Sequence, residues 1–153
     1  MRAIEPWVEQ PLSTFVTEAQ VRVALLMTSS GQVVAQHGFT RSLDVMTAAA
    51  LGAGIVASTR ALAAETAAGG FGAVVHQGGK LGVYLAPFEM PGAQWIGLAV
   101  FGPDTSLGMV QLFFGRLIED LAKTAPRSAP AREVLPETFE DDLNSSLRAL
   151  FGR

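Results

Sequence analysis

The chain has 153 residues, of which 49% are hydrophobic and only 16% are charged, and its formal net charge is −3. The sequence has no run rich in lysine or arginine, so nucleic acid is a poor partner for it. It also contains no cysteine, which excludes disulfides, thiolate metal sites and cysteine nucleophiles.

The first predicted elements are a short helix and a β-hairpin. A helix is predicted over about residues 11–19, where four apolar residues recur at i, i+3, i+4 and i+7. Two apolar runs around a Ser-Ser-Gly turn predict strands over residues 21–28 and 32–37. The continuous apolar run over residues 23–27 predicts a strand that is covered on both faces and therefore lies inside its sheet.

A second helix is predicted from Ser42, its N-cap, to about Ala67. The stretch from Val45 to Thr59 carries no charge, but it is shorter than the roughly 20 residues of a membrane span, so no span is predicted. Small residues at spacings of three and four would let another backbone approach closely, although an ordinary buried alanine-rich helix is the alternative. The candidate dimer and partner interface on this helix is Ala50, Ala53, Gly54, Ala57, Arg60 and Ala61.

Three strands and a helix complete the predicted domain. Two glycine-containing turns separate the strands, and the helix begins at Ser106 with a wide apolar face. The strands are predicted over residues 71–77, 80–87 and 94–101.

The composition changes after residue 124. Residues 1–124 form the predicted domain, residues 125–136 a proline-rich linker, and residues 137–153 an amphipathic C-terminal helix. A helix of this length is marginal alone, so it either packs on its own domain or docks on a partner. Docking on a partner would use Phe139, Leu143, Leu147 and Phe151.

No set of reactive side chains indicates catalysis. His37 and His76 end strands without further ligands at metal-binding spacing, so we predict no metal and no cofactor. The glycine pairs form no phosphate-binding loop, and no serine lies in a nucleophile elbow. Arg41, Arg60 and Arg116 are candidates for an arginine supplied in trans to a GTPase, although a solvated surface arginine is the default. We therefore predict a binding protein that is not itself an enzyme and takes no small-molecule substrate.

This order of elements resembles the roadblock (dynein light-chain) domain family. The stretches that carry the resemblance are VALLMTSSGQVVAQHG, LGAGIVASTRALAAE and SLGMVQLFFGRLIEDL, within roughly residues 12–124. VVHQGGKLGVYL and AGIVASTRALA are most similar to the MglB group of bacterial polarity regulators, which act on the Ras-like GTPase MglA. The resemblance implies an α+β fold with a five-stranded antiparallel sheet in α-ββ-α-βββ-α order, plus an extra C-terminal helix.

The resemblance also implies partners. It implies a homodimer formed by the second helix and by the edge strand with Phe71, Val74, Val75 and His76, which makes one sheet across two subunits. The paired helices would bind one small MglA-like GTPase, and the C-terminal helix would contact the GTPase elsewhere. GTP hydrolysis would be stimulated by repositioning the catalytic residues of the GTPase itself, not by an inserted arginine.

The expected setting is a bacterial cytoplasm, in cell polarity and in gliding or twitching motility. The N-terminus has no continuous apolar segment of the kind that a signal peptide requires. Two alternatives remain open: a non-catalytic dimeric scaffold or adaptor of a motor or signalling complex, and a small-molecule sensor domain.

Overall fold

The computed structural model describes residues 2–3, 5–41, 43–66 and 72–126, which form one antiparallel sheet with helices on both faces. The strands are β1 (Arg2–Ala3), β2 (Val23–Thr28), β3 (Val33–Gly38), β4 (Val74–Gln77), β5 (Gly82–Met90) and β6 (Ala93–Phe101). The helices are α1 (Glu9–Ala19), α2 (Val45–Glu65) and α3 (Leu107–Thr124). Across the sheet the strand order is β1-β3-β2-β6-β5-β4.

The predicted fold class is confirmed. Strands β2 to β6 make the five-stranded antiparallel sheet, and the helices follow in α-ββ-α-βββ-α order. Two features were not predicted: β1, which pairs with β3, and a 3-10 turn over Pro6–Val8 that leads into α1. Both are too short to leave a periodic pattern in the sequence.

The predicted division into domain, linker and C-terminal helix stays a prediction. Helix α3 ends at Thr124, and Pro126 is the last of the described residues. The rest of the predicted linker and the whole of residues 137–153 lie outside the described residues.

Strand β2 lies inside the sheet, as its apolar run predicted. It pairs with β3 on one side and with β6 on the other. Every residue from Val23 to Met27 is at most 4% exposed, because helices cover both faces of this strand. The sheet therefore separates two apolar layers.

Helices α1 and α3 form the thicker of these layers. Phe114 of α3 lies at its centre, with the rings of Phe15, Tyr84 and Phe88 around it in edge-to-face contact. Gly97 of β6 makes room for this ring, since a Cβ at Gly97 would collide with it.

Helix α2 forms the other layer through one buried stripe, which consists of Ala49, Gly52, Ala53 and Val56. The helix begins at Val45, so the predicted start at Ser42 is wrong, and both Ser42 and Ala67 lie outside the described residues. Asp44 is the N-cap: its Oδ1 accepts a hydrogen bond from the Thr47 N–H at 3.1 Å, and its Oδ2 accepts one from the Thr47 hydroxyl at 2.8 Å. A carboxylate satisfies the first turn of a helix at least as well as a serine does.

We expect Asp44→Ala to lower the melting temperature at neutral pH, because α2 loses this cap. Hydrogen bonds from the hydroxyl and then the N–H of Thr47 hold the pKa of the Asp44 carboxyl below its ordinary 3.8. A lowered folded-state pKa stabilises the fold above the unfolded-state pKa, and this stabilisation is lost as the pH falls through the folded-state pKa. Thermal unfolding should therefore show a difference from wild type that shrinks below pH 3.8.

Asp44→Asn is the control for this prediction, because it keeps a side-chain acceptor but cannot ionise. A difference between Asp44→Ala and wild type that stays constant into acid would show that the charge of Asp44 does not contribute.

Candidate partner-binding surface

Helix α2 leaves most of its apolar side chains in solvent. Met46 is 78% exposed, Leu51 and Leu62 are each 63% exposed, and Ile55 is 47% exposed. Single exposed apolar residues are ordinary on protein surfaces, whereas Leu51, Ile55 and Leu62 lie on one side of the helix and form a patch of the kind that marks an interaction site. The helix is therefore not enclosed within its own subunit.

The exposed face of α2 carries two parallel rows. The small row is Ala50, Gly54, Ala57 and Ala61, and the large row is Leu51, Ile55, Ser58 and Leu62. Both rows follow the spacing four, three, four, which keeps their members in line along an α-helix. A shallow depression lies around Gly54, where an added Cβ would meet no atom within 4 Å. The large row thus forms a ridge beside the groove at Gly54. A second helix packs closely on a surface of this form, because its own side chains can enter the groove.

The sheet beside α2 is partly uncovered. Gly52 packs on Leu85 and Leu98, so the helix lies over the row of the sheet that contains them. The next row across the strands, which we call the open row, consists of Val100, Val83 and His76. The two valines are only partly buried and the histidine is exposed. The large row of α2 and the open row therefore border one apolar trough.

Strand β4 forms an edge of the sheet. It pairs with β5 on one side, and no other strand among the described residues pairs with it. The unpaired N–H and C=O groups of an edge strand can bond to a strand of another chain. This edge lies at the end of the open row, because His76 belongs to both.

Five of the six predicted interface residues of α2 are exposed: Ala50, Gly54, Ala57, Arg60 and Ala61. Ala53 is a correction, since it is only 7% exposed and packs in the core beneath the helix. It lies four residues after Ala49 and three before Val56, and it therefore shares their buried stripe. Spacing in the sequence could not tell which side of the helix faces the sheet.

The predicted edge-strand residues lie at the border of the sheet. Val74 is partly buried in the α2 layer, whereas Val75 and His76 are exposed. Phe71 lies outside the described residues, and so do Phe139, Leu143, Leu147 and Phe151 of the predicted C-terminal helix. Their roles stay predictions.

The large row was not among the predicted site residues, and neither was Gln94. The spacing of the large row is readable in the sequence as a second apolar line along the helix. The role of Gln94 is not, because its contact joins residues 34 positions apart.

Arg60 is engaged in a polar chain. Its Nη2 donates a hydrogen bond to Gln94 Oε1 at 2.8 Å, and Gln94 Nε2 donates one to Glu89 Oε1 at 2.9 Å. This chain joins the C-terminal half of α2 to the β5–β6 hairpin. The Arg116 guanidinium is likewise occupied within the subunit, at 5.1 Å from the centre of the Phe113 ring.

The described part of the chain offers no metal-binding chemistry, since no three His, Asp or Glu side chains come together in it. Helix α2 is long and apolar enough to cross a membrane, with a mean hydropathy of 1.4 in its most apolar window. One such helix is weak evidence for a span. A sheet with an unpaired edge lies against α2, and hydrocarbon does not tolerate unpaired strand edges. The geometry therefore favours a protein partner on α2.

A family model for the Roadblock/LC7 domain matches residues 8–90. No curated protein matches the chain.

Several solved structures are similar to this one. MglB from Myxococcus xanthus is 27% identical, with a TM-score of 0.68 over 76% of this chain and 92% of that chain. The gliding protein MglB from Thermus thermophilus is 31% identical, with a TM-score of 0.67 over 78% of this chain and 89% of that chain. An MglB with a tetrameric arrangement is 30% identical, with a TM-score of 0.67 over 77% of this chain and 87% of that chain.

Proposed function

This chain belongs to the Roadblock/LC7 domain family, and from that premise we propose that it is a homodimeric regulator of a small Ras-like, MglA-like GTPase. In this proposal it stimulates GTP hydrolysis by repositioning the catalytic residues of the GTPase itself. The protein would act in the cytoplasm, in the polarity or motility of a bacterial cell. Its similarity to MglB structures, one of them described as a gliding protein, supports this choice within the family.

The observation that carries the proposal is the exposed face of α2. Burying an apolar side chain such as Leu51, Ile55 or Leu62 contributes about 1.5–3 kcal/mol. Doing so in both subunits offsets a large part of the entropy that association costs. The trough between the large row and the open row has the shape and apolar character to receive the α2 of a second copy.

The edge of β4 supports the same arrangement. In a two-fold symmetric dimer the same patch meets itself, so each β4 would lie antiparallel to the β4 of the other subunit. Pairing the two edges would form hydrogen bonds to the N–H and C=O groups of β4 that are otherwise available to a strand of an unrelated chain. The tetrameric arrangement of one MglB is consistent with a family that assembles with copies of itself.

In this dimer the large rows are buried, and the part of each α2 that stays exposed is its small row. The two small rows, one from each subunit, would form the surface that binds the GTPase. Small side chains let a GTPase approach the backbone of α2 closely. A binding surface accelerates hydrolysis when it binds the catalytically competent GTPase conformation more tightly than the others. The hydrogen bond from Arg60 to Gln94 favours this mechanism over an arginine supplied in trans.

GTP turnover by the partner GTPase, with and without this protein, tests the proposal. We expect the Arg60→Ala variant to retain most of the acceleration. An arginine supplied in trans is worth about 10³–10⁵ in rate, so a loss of that size would contradict the mechanism. Gln94→Ala is the matched control, because it frees the guanidinium without removing it.

The scaffold alternative predicts a different result in the same assay. A dimeric adaptor would bind its partner and leave the turnover rate unchanged. Binding without acceleration would therefore reject the regulator and retain the interface.

A further inference from the structure

A cleft of about 290 Å³ lies at one end of the sheet, on the side of α1 and α3. Its border consists of the start of the chain, the turns of the β2–β3 and β5–β6 hairpins, and the end of α3. The proposed function does not use this cleft. Its volume is at the lower end of the roughly 300–1,000 Å³ of small-molecule pockets, so it suits one side chain of a partner better than a free ligand.

One wall of the cleft is a pair of stacked indoles. The ring centroids of Trp7 and Trp95 are 5.7 Å apart, at an interplanar angle of 20°. Trp95 is buried, whereas Trp7 is partly exposed and also lines the cleft. The face of an indole ring carries negative potential, which attracts cations. The exposed part of the Trp7 ring is therefore a surface on which a flat cation can lie.

The charge of the cleft also favours a cation. The described residues that line it include one charged side chain, Glu5, and no basic one. Glu5 Oε2 accepts a hydrogen bond from Trp7 Nε1 at 3.1 Å, which places the carboxylate beside the indole. A carboxylate can accept about four hydrogen bonds, so most of its acceptor positions stay available to a ligand.

The remaining walls favour a guanidinium over an ammonium. Most of them are apolar, and they include Met90 and Pro91. The Thr28 hydroxyl is already hydrogen-bonded to the Ser30 hydroxyl and to the Gln32 N–H. An ammonium is strongly hydrated and needs acceptors on several sides, whereas a guanidinium is planar, stacks on aromatic rings and pairs with a carboxylate through two parallel hydrogen bonds.

We propose that the cleft binds an arginine side chain of a partner protein. The guanidinium lies against the Trp7 ring and pairs with the Glu5 carboxylate, and the methylene groups pack on Met90 and Pro91. Charge complementarity favours an arginine within a polypeptide over free arginine. No basic side chain among the described lining residues is present to receive the α-carboxylate of the free amino acid.

The cleft shares its end of the sheet with α2. A Cβ added to Gly31, in the β2–β3 turn, would lie 3.2 Å from the Cα of Ala50. Gln94, near the start of β6, accepts a hydrogen bond from Arg60. If a GTPase binds the small row as proposed above, it lies at this end of the sheet and is placed to supply the arginine. The binding of a guanidinium to the cleft does not depend on that.

Proton–nitrogen correlation NMR of the full-length protein tests the proposal. The chain has two tryptophans and therefore two indole N–H signals, and the Trp95→Phe variant identifies the signal of Trp7. We expect N-acetyl-arginine amide to shift the Trp7 signal in a saturable way. N-acetyl-citrulline amide, which has nearly the same shape without the charge, should bind roughly fivefold more weakly.

Glu5→Gln should weaken the binding of the capped arginine roughly threefold, since an exposed ion pair shifts an equilibrium by a small factor. The glutamine carbonyl can still accept the hydrogen bond from Trp7 Nε1, so the position of the indole is kept. Glu65→Gln is the matched control, because it removes an equal charge at the end of α2 and should leave the affinity unchanged.

Equal affinities for the capped arginine and the capped citrulline would overturn the proposal, because the cleft would then not recognise charge. The absence of a saturable shift at Trp7 would also overturn it, and this result is expected if a segment of the same chain or a second copy fills the cleft. Tighter binding of free arginine than of the capped form would reject a protein partner. The titration contains no GTPase, so its failure would leave the proposed function standing.

Discussion

Replacing Phe114 with alanine is expected to lower the free energy of unfolding by about 3–5 kcal/mol, the range for large aromatic truncations in a core. The ring is only 5% exposed and lies at centroid distances of 5.3–6.0 Å from Tyr84, Phe88 and Phe15. The cavity would open between α3 and the sheet, where Gly97 offers no side chain to fill it. Urea unfolding followed by circular dichroism would measure the loss.

Phe113→Ala is the matched control for Phe114→Ala, since it makes the same substitution one position away. Phe113 is only partly buried and packs at the edge of the core, beneath the Arg116 guanidinium. We expect a clearly smaller loss of stability from it. Equal losses in the two variants would contradict the central place of Phe114.

Ile55→Arg is expected to weaken self-association by about a hundredfold or more, because a guanidinium buried without a partner costs about 3–5 kcal/mol. In the monomer this position is 47% exposed, so the substitution should leave the fold intact. Sedimentation velocity over a range of concentrations would separate the monomer from the dimer.

Leu112→Arg provides the comparison for Ile55→Arg, because Leu112 is also an exposed apolar residue on a helix, at 53% exposure. It lies on α3, on the opposite face of the sheet, and should leave self-association unchanged. If both variants dissociate equally, or if neither does, the α2 surface is not the dimer interface.

The sequence was sufficient for the order of elements because each main element has a local pattern. The run at residues 23–27 is apolar without interruption, as expected for a strand that is covered on both faces. Ser106 was predicted to start the last helix and caps α3, where its Oγ accepts a hydrogen bond from the Met109 N–H at 3.3 Å. Before α2 the N-cap is Asp44, two positions after the predicted Ser42.

The site was harder to predict, because it depends on how α2 is rotated on the sheet. Ala53 and Ala57 look alike in the sequence, yet Ala53 is buried in the core layer beneath α2 while Ala57 is exposed to solvent. The contact of Arg60 with Gln94 and the stacking of Trp7 on Trp95 join distant parts of the chain. Neither leaves a local periodicity, so only the tertiary structure brings them together.

The uncharged stretch from Val45 to Thr59 has a thermodynamic consequence. Moderate concentrations of sodium chloride act by screening charges, and this part of α2 offers none to screen. The force that holds apolar surfaces together weakens on cooling and strengthens with sulfate or phosphate. The affinity of a complex formed on this helix should therefore fall at low temperature and change little with moderate ionic strength.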